Sequence, residues 1–435
     1  MPPYDQSREL SRRAHNLIPG GAQVYSKGDD QFPELAPGFI QSGKGARVLD
    51  VDGNEFLDWG MGLRSVILGH AYESVLEAVR SHLAMGSNHS RPHPVEVDLA
   101  ERLTRLIPCA EMVKFGKNGS DATSAAVRLA RAYTGRDLIA RCEDHPFFSV
   151  EDWFIGDTPC GAGVPEAVRR LTLRFPYNDL DGAARLFREH RGRIAGLILE
   201  PAACEEPRQG YLAELRRLCA SEGALLIFDE MITGFRFAPG GAQARYGVTP
   251  DLAAFGKALA NGFSVSALAG RRDVMELGGL RHGKERVFLL STTHGGEIHS
   301  LAAALATVKV IASQDVCGHV ARIGARLRDG LRALAAEAGV TVRAEGIDSI
   351  PYLSFPDARG REWPELRTLF LQETIRRGVL MATLSPSYSH TDGDVDFTLD
   401  AARGAFQVLR GAIERGTTAE LLVGPAVKPV LRRFN

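Results

Sequence analysis

The chain has 435 residues, with 52 Lys plus Arg against 53 Asp plus Glu and a net charge of −1 at pH 7. That balance excludes a nucleic-acid binder that works by bulk positive charge, and it excludes an acidic disordered tail protein. Hydrophobic residues make up 44%, as in a globular chain with a large core, and the length suits two or three domains or subdomains of roughly 100–200 residues each. Glycine is the outlier, 46 residues or about 11% against a usual ~7%. With no collagen-like period, these glycines belong at turns and where backbone approaches a ligand.

The N-terminal stretch MPPYDQSRELSRRAHNLIPGG has no apolar signal core, and no run of about 18 apolar residues offers a membrane span. The six cysteines, at 109, 142, 160, 204, 219 and 317, form no C-x-x-C pair. A cytoplasmic protein with reduced thiols is expected, with neither a membrane nor a nucleic acid as partner.

In chain order, RVLDVDGNEFLDW (47–59) alternates around Asp52-Gly53 and predicts a hairpin. Helical spacing follows at about 72–84 and 95–107. From about 110 to 270, short apolar runs alternate with helical stretches: RIAGLILEP (193–201), YLAELRRLCASEG (211–223), ALLIFDE (224–230) and DLAAFGKAL (251–259). Buried strands alternating with helices imply a mostly parallel, doubly wound α/β sheet. One long helical pattern runs on from about 300 to 339. A β segment near 340–356 and helices near 363–378 and 392–415 complete a smaller α+β part.

Ligands of open α/β sheets sit beyond the carboxyl ends of the strands. Glu200 ends GLILEP, Asp229 and Glu230 end ALLIFDE, and Lys257 follows LAAF, with intervals of 29 and 28 residues from Glu200 to Asp229 to Lys257. Each interval fits one strand–helix–strand crossover, so these groups can line one crevice, although each alone is an ordinary strand-end charge. In VKFGKNGSDATSAAVRLARAYTG the turn Asn118-Gly119-Ser120 precedes a helix, placing Ser120 at the N-cap. A helix N-terminus binds anions, although a plain cap reads the same way. Lysine, acid and phosphate cradle together suit pyridoxal 5'-phosphate (PLP), which needs a Lys for its Schiff base and an Asp or Arg at its pyridine nitrogen.

The chain resembles the class III (ω-type) PLP-dependent aminotransferases of fold type I, in the branch around glutamate-1-semialdehyde 2,1-aminomutase. The resemblance rests on DVDGNEFLDW, LGHAYESVLEAV, KNGSDATSAAVRLARAYTGRD, ALLIFDEMITGFR, AFGKALANGFSVSALAGRRDVM and STTHGGEIHSLAAA. It implies that Lys257 is the Schiff-base and proton-shuttling lysine, and that Asp229 pairs with the pyridinium. It implies that Gly119 and Ser120 bind the phosphate, that Glu200 lines the pocket, and that Thr293 reaches the phosphate of a neighbouring subunit. A homodimer with shared active sites follows from the last of these. The implied division is an N-terminal segment with the hairpin (1–70), a large PLP-binding domain (71–310) and a C-terminal small domain (311–435).

The sequence also departs from the family. Where relatives carry a Tyr-His-Gly run, this chain has RCEDHPFFSVEDWFIG; counting back from DWFI puts Phe147 at the ring-stacking position and Phe148 at the histidine, while another registration would use His145. After Gly20-Gly21, Lys27 takes the place of an arginine, with Tyr25 and Ser26 adding hydroxyls; a Lys still meets a carboxylate but lacks the bidentate fork. Glu205 stands where the aminomutases often have Asn. The lysine motif lacks their Gly-Gly-Gly run. The resemblance implies that Asn88 and His89, in NHSRPH, fall near the substrate entrance; Pro92 between His89 and His93 argues against a metal site there.

The expected function is amino-group transfer between a small amino donor and a carbonyl acceptor. A 2,1-aminomutase using the same site is the alternative. A non-catalytic binding or regulatory protein of the same fold is a second alternative, against which Lys257 and Asp229 together argue.

Overall fold

The computed structural model describes residues 4–434. The chain divides into two compact units, Met1–Tyr72 with Gly318–Arg432, and Glu73–Cys317 with Arg433–Asn435.

The unit Glu73–Cys317 is built on seven strands. In space they run Met112–Gly116, Ser266–Gly270, Leu252–Phe255, Leu225–Asp229, Ile194–Leu199, Leu138–Cys142 and Thr172–Phe175. Only Ser266–Gly270 runs against its neighbours. The central strands IAGLIL, LLIFD and LAAF are buried along their whole length, as strands covered on both faces must be. The helix Gly119–Thr134 lays Ala125, Ala126, Leu129 and Ala130 on this sheet. A Cβ on Gly196 would come within 3.3 Å of the Ala130 methyl, so small residues on both sides set the close approach of helix and strand.

The helix begins at Gly119, with Asn118 extended (φ −110°, ψ 155°) at the cap. This corrects the expectation of Ser120 as N-cap. Asp121 supplies the reason: its carboxylate accepts the Lys117 and Asn118 N–H groups, both at 2.8 Å, and so fixes the start two residues earlier. The long helical pattern after residue 300 is also two helices, Ile298–Ser313 and Val316–Ala338. Its apolar spacing runs through the break, but Ser313-Gln314-Asp315 is a cap-forming sequence and Gln314 is extended.

In the other unit, the hairpin strands Arg47–Asp50 and Glu55–Asp58 pair antiparallel around Asp52-Gly53. Val379–Leu380 adds to Glu55–Asp58 in parallel. Leu57 and Trp59 then share one core with Ile323, Leu327, Leu331, Phe370 and Phe406, which is why the two ends of the chain form a single unit. Each such large apolar side chain contributes roughly 1.5–3 kcal/mol on burial. The Trp59 indole donates to Thr398 Oγ1 at 2.8 Å, and its ring stacks on His390 at 4.0 Å. His390 Nδ1 accepts from Ser387 N–H at 3.1 Å, so the Ser389-His390 dipeptide is part of this packing. Burial pushes the His390 imidazole down to about 4, and nearby Asp394 and Asp58 pull the other way.

Among the described residues, no single helix is long and apolar enough to cross a membrane. No group of three or more His, Cys, Asp or Glu among them is arranged to hold a metal.

Candidate active site

Three of the residues singled out from sequence converge in the unit Glu73–Cys317. Leu225–Asp229 and Leu252–Phe255 are adjacent parallel strands, with Asp229 in register with Ala254. The chain then passes through extended Gly256 into a 3₁₀ turn, Lys257–Ala260. Asp229 is buried, and its Oδ1 accepts the Met231 N–H at 2.9 Å. Burial raises the pKa of its carboxyl, against the pull of the Lys257 ammonium. Lys257 itself is half-buried and has φ +44°, the left-handed region that a side chain rarely adopts. Such strain persists only where the surroundings over-determine it.

Met231 ties this pair to the helix start. A Cβ on Gly119 would lie 2.8 Å from Met231 Sδ, and a Cβ on Gly256 would lie 2.7 Å from the same sulfur. Two absent side chains therefore make room for one thioether. Gly119, Asp229-Met231 and Gly256-Lys257 meet around it. The sequence offered no signal for Met231 beyond its place in the FDEMITGF run.

Ser120 is buried in the first helical turn, where its Oγ accepts the Val150 N–H at 3.0 Å. One turn on, Thr123 Oγ1 donates to the Phe148 carbonyl at 2.7 Å, and Ser124 Oγ meets Ser149 Oγ at 2.9 Å. The first two turns of the helix thus fasten the 147–150 loop. On that loop Phe147 is 46% exposed and edge-on to Phe154 at 5.6 Å, whereas Phe148 is 2% exposed and packs in the core. Of the two adjacent aromatic rings, only that of Phe147 is open.

Glu200 is buried at the end of Ile194–Leu199, and its N–H donates to His145 Nδ1 at 3.0 Å. Burial pushes the His145 imidazole down to about 4; neighbouring Asp144 opposes this and Arg141 adds to it. The ring is therefore neutral near pH 7, with its proton on Nε2. Glu230 turns both carboxylate oxygens onto Thr233 Oγ1, Ala242 N, Gln243 N and Gln243 Nε2 at 2.5–3.3 Å, which is a structural use of that acid. Glu205 is exposed on the loop beyond Pro201.

Thr293 lies in an exposed turn, and its carbonyl accepts from Asn88 Nδ2 at 3.2 Å. Near the end of that turn, Glu297 accepts from Lys117 Nζ at 2.6 Å, two residues before Gly119. The Lys117–Glu297 pair was not foreseen, since 180 residues separate its members. His89 is exposed, its ring 6.2 Å from that of His93. Tyr25 and Lys27 belong to the other unit, where they form one exposed 3₁₀ turn.

The donor set fits PLP on three counts. A buried acid whose charge burial disfavours is matched to a protonated ring nitrogen. A helix start whose acid Asp121 is turned onto Lys117 and Asn118 leaves Gly119 and Ser120 N–H to face an anion. A strained, half-buried lysine lies close enough to the acid to oppose the rise in its pKa.

The chain matches the family described as Aminotransferase class-III over residues 33–384. It is 34% identical to a 3-aminobutyryl-CoA aminotransferase of Cloacimonas acidaminovorans, covering 92% of this chain and 96% of that protein. It is also 34% identical to a glutamate-1-semialdehyde 2,1-aminomutase of Halobacterium salinarum, covering 92% and 99%. Its fold is similar to the PLP form of the FumI protein of Sphingopyxis sp. MTA144, with a TM-score of 0.85, 27% identity, and coverage of 94% and 97%. The chain belongs to the class III aminotransferases, PLP-dependent enzymes of fold type I.

Proposed function

We propose that the enzyme transfers an amino group between a small amine donor and a carbonyl acceptor, with Lys257 as its central catalytic residue. The observation that carries this reading is the convergence of Gly119, Asp229 and Gly256-Lys257 on Met231. Lys257 Nζ would hold PLP, and Asp229 would accept the N–H of its ring. The N–H groups of Gly119 and Ser120 would receive its phosphate, and the open ring of Phe147 would cover one face. When bound, PLP supplies an electron sink for the pair left at a substrate carbon. Lys257 Nζ would take the proton from that carbon and return it elsewhere. Lys27 and Tyr25 would meet a substrate carboxylate, and Asn88 and His89 would border the entrance. In a homodimer, Thr293 would complete the partner's phosphate site. The six free thiols suit a reducing cytoplasm.

A 2,1-aminomutase is the second reading, favoured by the relative of that name at the same 34% identity. An isotope-labelled amine separates the two. Nitrogen label recovered in an added carbonyl acceptor supports the transferase; label that never leaves its original carbon skeleton sinks it. Loss of the visible cofactor band in Lys257→Ala is expected in both cases, and a retained band would remove Lys257 from its role.

A further inference from the structure

The last residues of the unit Met1–Tyr72 with Gly318–Arg432 form no regular element beyond a 3₁₀ turn at Ala419–Leu421, yet they are tied down at both ends. The helix Pro364–Ile375 is buried almost throughout, and Thr368 and Gln372 are fully buried within it. Polar side chains in such a place are costly unless they are bonded. Thr368 Oγ1 donates to the Pro364 carbonyl of its own helix at 2.6 Å, and the remaining partners come from the tail. Gln372 Nε2 donates to the Leu421 carbonyl at 3.1 Å, and Gln372 Oε1 accepts Val423 N–H at 2.8 Å. Thr368 Oγ1 accepts Val427 N–H at 3.0 Å.

Beyond this anchor, the tail grips the segment that follows the Tyr25–Lys27 turn. Lys428 N–H donates to the Asp30 carbonyl at 3.0 Å, and the Arg432 guanidinium meets Asp30 Oδ2 at 2.6 Å. Arg432 also donates to the Pro429 carbonyl at 2.8 Å, which holds the tail's own end. From the other side, His15 Nε2 meets Asp29 Oδ2 at 2.7 Å. Gly28 N–H returns to the Tyr25 carbonyl at 2.9 Å and Gln31 N–H to the Gly28 carbonyl at 3.1 Å, so Gly28 joins the two 3₁₀ turns Tyr25–Lys27 and Asp29–Gln31. A short turn of exposed side chains has no packing of its own to fix it. Besides His15 and the turn's own backbone bonds, the fixing comes from about 400 residues downstream.

We infer that the C-terminal tail is a strap that sets the Tyr25–Lys27 turn, and that Arg432 is a positioning residue for substrate recognition. The recognition half rests on the reading of Lys27 as the carboxylate partner. The strap half rests on the bonds alone.

Hydrogen exchange of the PLP-loaded enzyme tests the strap. Amides between residues 24 and 31 should exchange about two- to fivefold faster in Arg432→Ala, the loss expected for one part-exposed ion pair, and Arg432→Lys should recover part of the protection. Unchanged exchange in Arg432→Ala overturns the strap. Kinetics test its use. Arg432→Ala should raise KM for a carboxylate-bearing amine by a similar factor, with kcat and the visible cofactor band held, and should leave an amine without a carboxylate unaffected. Equal changes for both amines, or none for either, overturn the positioning role. Lys27→Ala separates the two levels: if it leaves KM for the acid unchanged, the carboxylate reading fails, while the exchange result still decides the strap.

Discussion

Asp229 and Lys257 stand at the ends of adjacent parallel strands, whereas Tyr25 and Lys27 stand on one 3₁₀ turn between a helix and a loop. The first pair inherits its spacing from a sheet whose ladder bonds and buried faces leave little freedom. The second is placed by a handful of side-chain and backbone bonds to distant chain: His15 to Asp29, Lys428 and Arg432 to Asp30. The groups proposed to do the chemistry sit at the ends of sheet strands, and those proposed to choose among substrates sit on a turn where an adjustment costs little.

The hardest test of that contrast is Lys257→Ala, expected to lower turnover on the order of 10⁴-fold in a steady-state assay, with the fold intact by circular dichroism. Asp229→Asn should follow, with kcat down roughly 10²–10³-fold, as for the loss of one preorganised electrostatic partner. Gly119→Ala should weaken PLP binding measured by equilibrium dialysis, because its Cβ would meet Met231 Sδ at 2.8 Å; overpacking of this kind costs about 1–3 kcal/mol. Turn variants should be much milder, Lys27→Ala raising KM several-fold with kcat within about twofold. A turn variant that abolished kcat would erase the distinction.

Acid provides a subtler probe, since each unit buries one histidine. Burial pushes both His145 and His390 down to about 4, against an unfolded value near 6.5. The folded chain then binds fewer protons than the unfolded one across that window. Stability is fully present above about pH 6.5 and is lost as pH falls toward 4, by as much as a few kcal/mol per group. Thermal melts from pH 7 to 4.5 should show a shallower decline in His390→Gln than in the wild type. An unaltered slope would mean that His390 contributes nothing to acid sensitivity.

The parallel strands, the hairpin and the strand-end charges were legible because buried apolar runs and Asp-Gly turns announce themselves locally. The helix start was misjudged by two residues, since Ser120 and Asn118 are both good caps and only the backward reach of Asp121 separates them. The break at Gln314 was hidden by continuous apolar spacing on either side. What stayed illegible was long-range and polar: Lys117 with Glu297, His145 with the Glu200 N–H, and the tail with Asp30. No periodicity marks a partner that lies tens to hundreds of residues away.

The space shared by Gly119, Met231 and Gly256 carries an evolutionary consequence. Because one sulfur fills the room left by two missing methyl groups, these three positions cannot drift independently. A side chain at either glycine becomes tolerable only after residue 231 has shrunk, and shrinking it alone opens a void between Gly119 and Gly256. Substitutions there should be epistatic: Met231→Ala harmful by itself, yet permissive for Gly119→Ala. The order in which such changes arrive would then decide which sequences of this kind can be reached at all.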